Sequence, residues 1–324
     1  MSAKIKLASN VVPFMKMRDR FVTEGYNEGY EPEKQLECIA AVKGISGSGY
    51  GWPCQYKSGA ELKKAFANHG LQVATLDTDI YTEARFKQGS FSNRDPKIRR
   101  AAIARTKETI DAAVEAGAPD INLWLGHDGF EYPFQAHYAD AWKYIEDCLA
   151  ELAEYNPEMP ISIEPKCKEP RANTYIANTG KALRLVNKIN KPNLGITLDF
   201  GHSLAALENP AESAVLAMRE KRLHQIHLND NYRDWDHDLV PGSITVWEHV
   251  EFFYWLAKMK YDGWFCIDIY PYRNEGAKVL ENTVLVCDKC RLIADKLLET
   301  NVEDILRKGE HLDILAELWN MIKV

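Results

Sequence analysis

LHQIHLNDNYRDWDHDLVPG, residues 223–242, is an apolar-alternating run that ends in His227, turns through Asn229-Asp230-Asn231, and then presents Asp234, Asp236 and Asp238 at two-residue steps. That is a strand feeding a loop of oxygen ligands. In extended chain, side chains two apart point the same way, so Asp236 and Asp238 close on one cation while His227 reaches in from the strand end. The bland alternative is a solvated acidic turn whose Asp and Asn side chains bond their own backbone. A histidine closing a buried-looking strand weighs against it, as do the apolar Trp235 and Leu239 set among the charges.

Outward from this stretch the same unit repeats. Short apolar runs at Ile5–Ala8, Val42–Ile45, Leu71–Leu76, Asp120–Leu125, Ile161–Glu164, Leu194–Asp199, Leu223–Leu228 and Trp264–Ile269 predict eight strands. Amphipathic segments between them predict helices over Pro96–Ala116, Pro133–Tyr155, Tyr175–Ile189, Ala211–Lys221, Ile244–Lys260 and Ala277–Leu298. Asp95-Pro96 and Asn209-Pro210 are helix entries, a capping side chain followed by proline at the first helical position. Strand-then-helix units in this number point to an α/β chain closed as a (β/α)8 TIM barrel. The expected organisation is a barrel catalytic domain over residues 1–298 and a short C-terminal helical extension over 299–324, either an arm on a neighbour or a helix folded back.

The totals of this 324-residue chain narrow the function. A formal charge of -7 without a basic cluster leaves no footprint for nucleic acid and opposes a DNA-cleaving role. The start lacks an apolar signal core, and no run reaches the roughly 18 apolar residues of a membrane span. A cytoplasmic protein is the expectation. Seven irregularly spaced cysteines are no disulfide framework, and Cys287-x-x-Cys290 lies inside a helical pattern without a second pair.

In a TIM barrel the catalytic side chains stand at the C-terminal ends of the strands. Read in order, those ends carry Asp77-Thr78-Asp79, Trp124 with His127 and Asp128 beyond, Glu164-Pro165-Lys166, Asp199-Phe200-Gly201-His202, His227 and Asp268. Glu164, Asp199, His227 and Asp268 can converge on one ion near the barrel axis. Asp199 can bridge to a second ion held also by His202, Asp236 and Asp238. Carboxylates with one imidazole each suit Mn2+, Co2+ or Mg2+. Five carboxylates less the Lys166 charge leave four negative charges, which two divalent cations cancel. Each residue also has a dull reading: Asp199 as a helix cap, Trp124 as core filler at the rim, Asp236 and Asp238 as surface charges.

Glu164-Pro165-Lys166 within IEPKCKEPRANT, Asp199-x-x-His202, the DHDLVPG loop from Asp236, and FKQGSFSNRDPKIRRAA from Phe86 together resemble metal-dependent xylose isomerase. The resemblance runs from about Tyr81 to Arg273. It implies a two-metal aldose–ketose isomerase working by a 1,2-hydride shift on a small-molecule sugar, and a homodimer or homotetramer. It assigns Glu164, Asp199 and Asp268 to the substrate-holding metal. His202, Asp236 and Asp238 fall to the catalytic metal, with Asp199 shared. Lys166 matches a lysine beside the reacting oxygens, and Trp124 and Phe91 match walls of the sugar pocket; catalysis would fall to Lys166, Asp236, Glu164 and Asp268.

Departures from that pattern are also plain. His227 and Asp199 look like the L-rhamnose isomerase type. GISGSGYGWPC from Gly44 offers no counterpart of the ring-opening histidine, a role that His127 can take from the fourth loop, and His202 can reach substrate as well as metal. Two rival readings stay open: a single-metal keto-sugar epimerase or related lyase exchanging protons through Glu164 and Asp268, and a sugar-binding barrel without activity. Arg18-Asp19-Arg20-Phe21 is placed to send Phe21 into a neighbour's pocket.

Overall fold

In the computed structural model, which describes residues 5–321, eight parallel strands close into a barrel. They are β1 Lys6–Ser9, β2 Ile45–Trp52, β3 Gln72–Thr78, β4 Ile121–Trp124, β5 Ile161–Glu164, β6 Leu194–Asp199, β7 Leu223–Leu228 and β8 Trp264–Ile267. Each pairs with its successor, and β1 pairs with β8. This is the expected (β/α)8 fold.

Period two decides which side chains face the barrel axis. Ile121 and Leu123, Ile161 and Ile163, Ile196 and Leu198, Ile226 and Leu228, and Phe265 and Ile267 point outward and are buried beneath the helices. Their alternates point inward and are polar or small: Asn122, Ser162, Glu164, Thr197, Asp199, Gln225, His227, Cys266. The Trp264 ring lies against Gly47, where even one added carbon would sit 2.7 Å from it. Aliphatic burial outside the sheet therefore stabilises a barrel whose own axis is polar.

Helices at Pro32–Ala41, Gly59–Asn68, Pro96–Ala116, Tyr138–Tyr155, Thr179–Ile189, Pro210–Arg219, Val246–Lys258 and Gly276–Leu298 cover the sheet. Both expected caps form. Asp95 accepts from the Lys97 amide, and Asn209 accepts from the amides of Ala211 and Glu212, contacts of about 1 kcal/mol each. The helix expected from Pro133 starts at Tyr138, because Phe134 takes a left-handed φ of 62° and the His137 side chain caps Asp140. The helix expected from Tyr175 likewise waits for Asn178, which caps Lys181.

The second strand departs most from expectation. Val42 closes the turn of the preceding helix through Ile39, and the strand runs through Ile45–Trp52. Glycine at every other place hides it from a pattern search, because glycine has low strand propensity and no hydropathy signal.

Beyond Leu298, helices Val302–Lys308 and His311–Met321 fold back on the barrel. Val302 and Ile305 are buried, Lys258 pairs with Glu303, and Trp319 meets Trp247 edge-on at 5.7 Å. Residues 322–324 of the expected extension lie outside the described residues. No helix among the described residues is long and apolar enough to cross a membrane.

His224 is out of phase with the inward column of β7 and packs on Gly195. Burial first, then the Arg222 charge, pushes its pKa down from 6.5 to about 4. Its contribution to stability is whole above pH 6.5 and is lost as the pH falls toward 4, because the unfolded chain takes the proton first. In urea unfolding with chelator present, the wild type should lose more stability between pH 7 and 4.5 than His224→Gln. Parallel losses would contradict this.

Candidate metal centre and sugar site

At the C-terminal mouth the inward columns end together. One ligand atom each from Glu164, Asp199, His227 and Asp268 lies within 4.8 Å of the other three. His227 Nδ1 is 3.2 Å from Glu164 Oε1, 3.6 Å from Asp268 Oδ2 and 3.9 Å from Asp199 Oδ2. Each carboxylate is aimed by an amide. Asn122 donates to Glu164 Oε2 at 2.7 Å and to Asp77 at 3.0 Å, while its own carbonyl accepts from Thr197. Asn229 donates to Asp199 Oδ2 at 2.9 Å, and Asn10 donates to Asp268 Oδ1.

Asp199 has two jobs at once. Its Oδ1 caps the short helix Phe200–Ala205 by accepting from the His202 amide at 2.7 Å. The helix cap is thus real, and it is what carries His202 toward the cluster that Asp199 shares with Glu164, His227 and Asp268. There His202 Nε2 stands 3.0 Å from Asp236 Oδ2, and its Nδ1 stands 3.3 Å from Glu164 Oε1. The second expected ligand pair thus abuts the first.

Asp236 comes from the loop after β7, and that loop is pinned at its base. Asp230 and Leu239 exchange two backbone hydrogen bonds of 3.0 Å. The buried Asp230 carboxylate accepts from the amides of Ile244 and Thr245 and from the Thr245 hydroxyl. Asp238 takes a left-handed φ of 50° and lines the same cavity as Asp236. It forms no ion pair among the described residues.

Lys166 is mostly covered, with Nζ 2.8 Å from both Asp236 Oδ2 and Glu169 Oε2 and 5.2 Å from the centre of the Trp124 ring. Trp124 meets Tyr81 edge-on at 4.7 Å. Together with His127, these groups line an open cavity of about 830 Å³. Phe91 does not join them; it is fully buried, and its carbonyl faces the Cys148 thiol. The segment around it serves another end: Ser90 and Ser92 donate to Asp128, fixing the loop that carries His127.

The electrostatics show a shortage of positive charge. Burial lifts Asp199 to about 7, with Asp236 and Glu164 adding to the rise. Burial and the neighbouring Asp236 likewise raise Asp238, and burial with the Glu164 charge raises Asp268. Glu164 resists burial because His227 first, then His202 and the Asn122 amide, hold it down at about 2. In return His202 rises against burial to about 10 on Asp199 and Asp236, and His227 is driven well up by Glu164 and Asp268. The carboxylates and the two imidazoles thus hold each other's charge. His202 Nδ1 and Asp236 Oδ1 are buried without a hydrogen-bond partner. Oxygen-rich ligands with one imidazole per set, plus those two orphaned atoms, fit divalent cations.

Asn122 and Asn10 escaped the sequence reading, which named Asp77 and Asn229 without giving either a part in the site. Asn122 carried a usable signal, because it stands one strand over from Glu164 and directly opposite Ser162 in the ladder.

A family model described as xylose isomerase-like TIM barrel matches residues 43–288. The xylose isomerase of Thermus thermophilus is 27% identical over 249 residues, covering 75% of this chain and 64% of the relative. The chain therefore spans less than two thirds of the curated relatives it matches. Among solved structures, an L-ribulose 3-epimerase superposes with a TM-score of 0.67 at 14% identity, covering 91% of this chain and 97% of that one. A 3-keto-D-glucoside 4-epimerase from E. coli gives 0.64 at 16% identity, covering 89% of this chain and 100% of that one. At these identities the structural likeness speaks for the fold alone.

A cation entering this site competes with protons for His227 and His202, whose pKa values the surrounding carboxylates raise. Adding Mn2+ to chelator-stripped protein at pH 7.5 should therefore release protons, and the apparent affinity should rise with pH. Calorimetry in buffers of different ionisation enthalpy reads the number directly. Binding without proton release would contradict the charge assignment.

Proposed function

The chain belongs to the xylose isomerase-like TIM barrel family, and from that membership we propose that it is a divalent-metal-dependent aldose–ketose isomerase acting by a 1,2-hydride shift. The observation that carries this reading is the contact of His202 with Asp236 and of Asp236 with Lys166, directly beside the Glu164–Asp199–His227–Asp268 cluster. One cation would sit among Glu164, Asp199, His227 and Asp268, and a second among His202, Asp236, Asp238 and Asp199. Bound there, Mn2+, Co2+ or Mg2+ supplies Lewis acidity toward the carbonyl and hydroxyl oxygens of an open-chain sugar.

The side chains do the rest. Lys166 stays charged, since burial opposes its proton less than Asp236 and Glu169 hold it. It stabilises negative charge on a substrate oxygen. Glu164 and Asp268 hold the sugar end of the site in register through their amide clamps. Trp124, edge-on to Tyr81, gives a flat face for sugar C–H bonds. His127 is kept neutral by burial and by Arg171, and suits exchange of a proton with a sugar hydroxyl. A hydride shift asks for no base on carbon, which agrees with carboxylates that are all engaged. The same reading includes a homodimer or homotetramer, with Phe21, 76% exposed, on the protomer's surface.

A rival has one observation in its favour. The four-group cluster alone would serve a single-metal keto-sugar epimerase that exchanges protons through Glu164 and Asp268. Glu164, however, has both oxygens occupied by Asn122 and His227, and the rival leaves Lys166 and Asp236 without work.

Turnover in D2O separates the two. With Mn2+ or Co2+ and a panel of aldoses and ketoses, the isomerase keeps the substrate hydrogen in the product. Full deuterium wash-in at the reacting carbon would establish the epimerase route instead, and cation binding with no turnover on any sugar would establish a binding protein. Asp236→Asn with Asp238→Asn should lower turnover on the order of a thousandfold or more while one cation still binds. Surviving activity would remove the second cation from the mechanism.

A further inference from the structure

The inward column of β2 is glycine at three successive places, Gly47, Gly49 and Gly51. Two have packing reasons. A carbon added at Gly47 would meet the Trp264 ring at 2.7 Å, and one at Gly49 would meet Thr75 at 3.2 Å. Gly51 has none: a carbon added there meets nothing within 4 Å, and the residue lines the cavity. Here the barrel mouth lacks a wall. The cavity of about 830 Å³ lies toward the upper end of the roughly 300–1,000 Å³ of sites that enclose drug-sized ligands, more than a single six-carbon sugar needs.

The extension is bounded by the loops that follow β1 and β2. Val12, Met15, Pro53, Cys54 and Gln55 line it, and none is charged. Lys166 is the one lysine or arginine among the described residues lining the whole cavity, and Asp236 and Glu169 already engage it. No lysine or arginine among the described residues borders the extension, so a phosphate there would find no fixed positive partner.

We infer that the substrate is a neutral sugar bearing an uncharged substituent, such as a second sugar ring, seated over Gly51 between the loops after β1 and β2. The inference rests on the isomerase reading for the placement of the reacting end. Gly51 acts as the specificity-determining position, since a side chain there would fill the subsite.

Calorimetric titration of the Mn2+-loaded protein with glucose, maltose, cellobiose, melibiose and glucose 6-phosphate tests this. At least one disaccharide should bind tenfold or more tighter than glucose, and glucose 6-phosphate should bind no tighter than glucose. In Gly51→Leu the disaccharide-to-glucose affinity ratio should fall at least tenfold. If that variant does not fold, Gly51→Ala reads the same ratio with a loss of about threefold or more. Glucose binding as tightly as every disaccharide, tighter binding of the phosphate, or a ratio unmoved at position 51 would each overturn the inference and leave the isomerase reading standing. Disaccharide preference without turnover of any sugar would do the reverse.

Discussion

Crowding of carboxylates at the barrel mouth is the constraint that the rest of the molecule answers. Glu164, Asp199, Asp236, Asp238 and Asp268 lie near one another, the first three buried and the last two half-buried, with Lys166 as the fixed positive charge. Such a group cannot ionise fully in a low-dielectric site without partners. The protein supplies two imidazoles that take protons, and three of the carboxylates remain lifted all the same. A fold has no reason to gather so much uncompensated charge for stability. Divalent cations would resolve the shortage, and under the proposed function their chemistry defines what the site can do.

Holding that charge in place requires a scaffold that gives none of its own stability to the site. Outward Ile, Leu and Phe side chains on the strands carry the packing, which frees the inward column for polar groups. Amides then fix each carboxylate: Asn122 for Glu164, Asn229 for Asp199, Asn10 for Asp268. A buried aspartate, Asp230, does for the loop what these do for single side chains. The protein's own side chains therefore set the shape of the site, as catalysis by positioned charges demands.

Much of this was legible in the sequence because TIM barrels tie function to strand ends. Glu164, Asp199, His227 and Asp268 could be placed together from topology alone, once the strands were counted. What escaped did so for physical reasons. Asn122 has no charge and no motif, and its value lies in contacts across two neighbouring strands. The glycines of β2 hide a strand from any hydropathy pattern, and the space they leave has no letter in the sequence. Phe91 misled because a motif fixes a segment and not the direction of one ring; its neighbours Ser90 and Ser92 turned out to grip Asp128.

Anomalous diffraction from crystals grown with Co2+ distinguishes a two-cation centre from a single-cation one. Two peaks per chain are expected, one bonded at about 2.0–2.2 Å to Glu164, Asp199, His227 and Asp268, the other to His202, Asp236 and Asp238. A single peak at the first position, with His202 and Asp236 still joined to each other, would contradict the account.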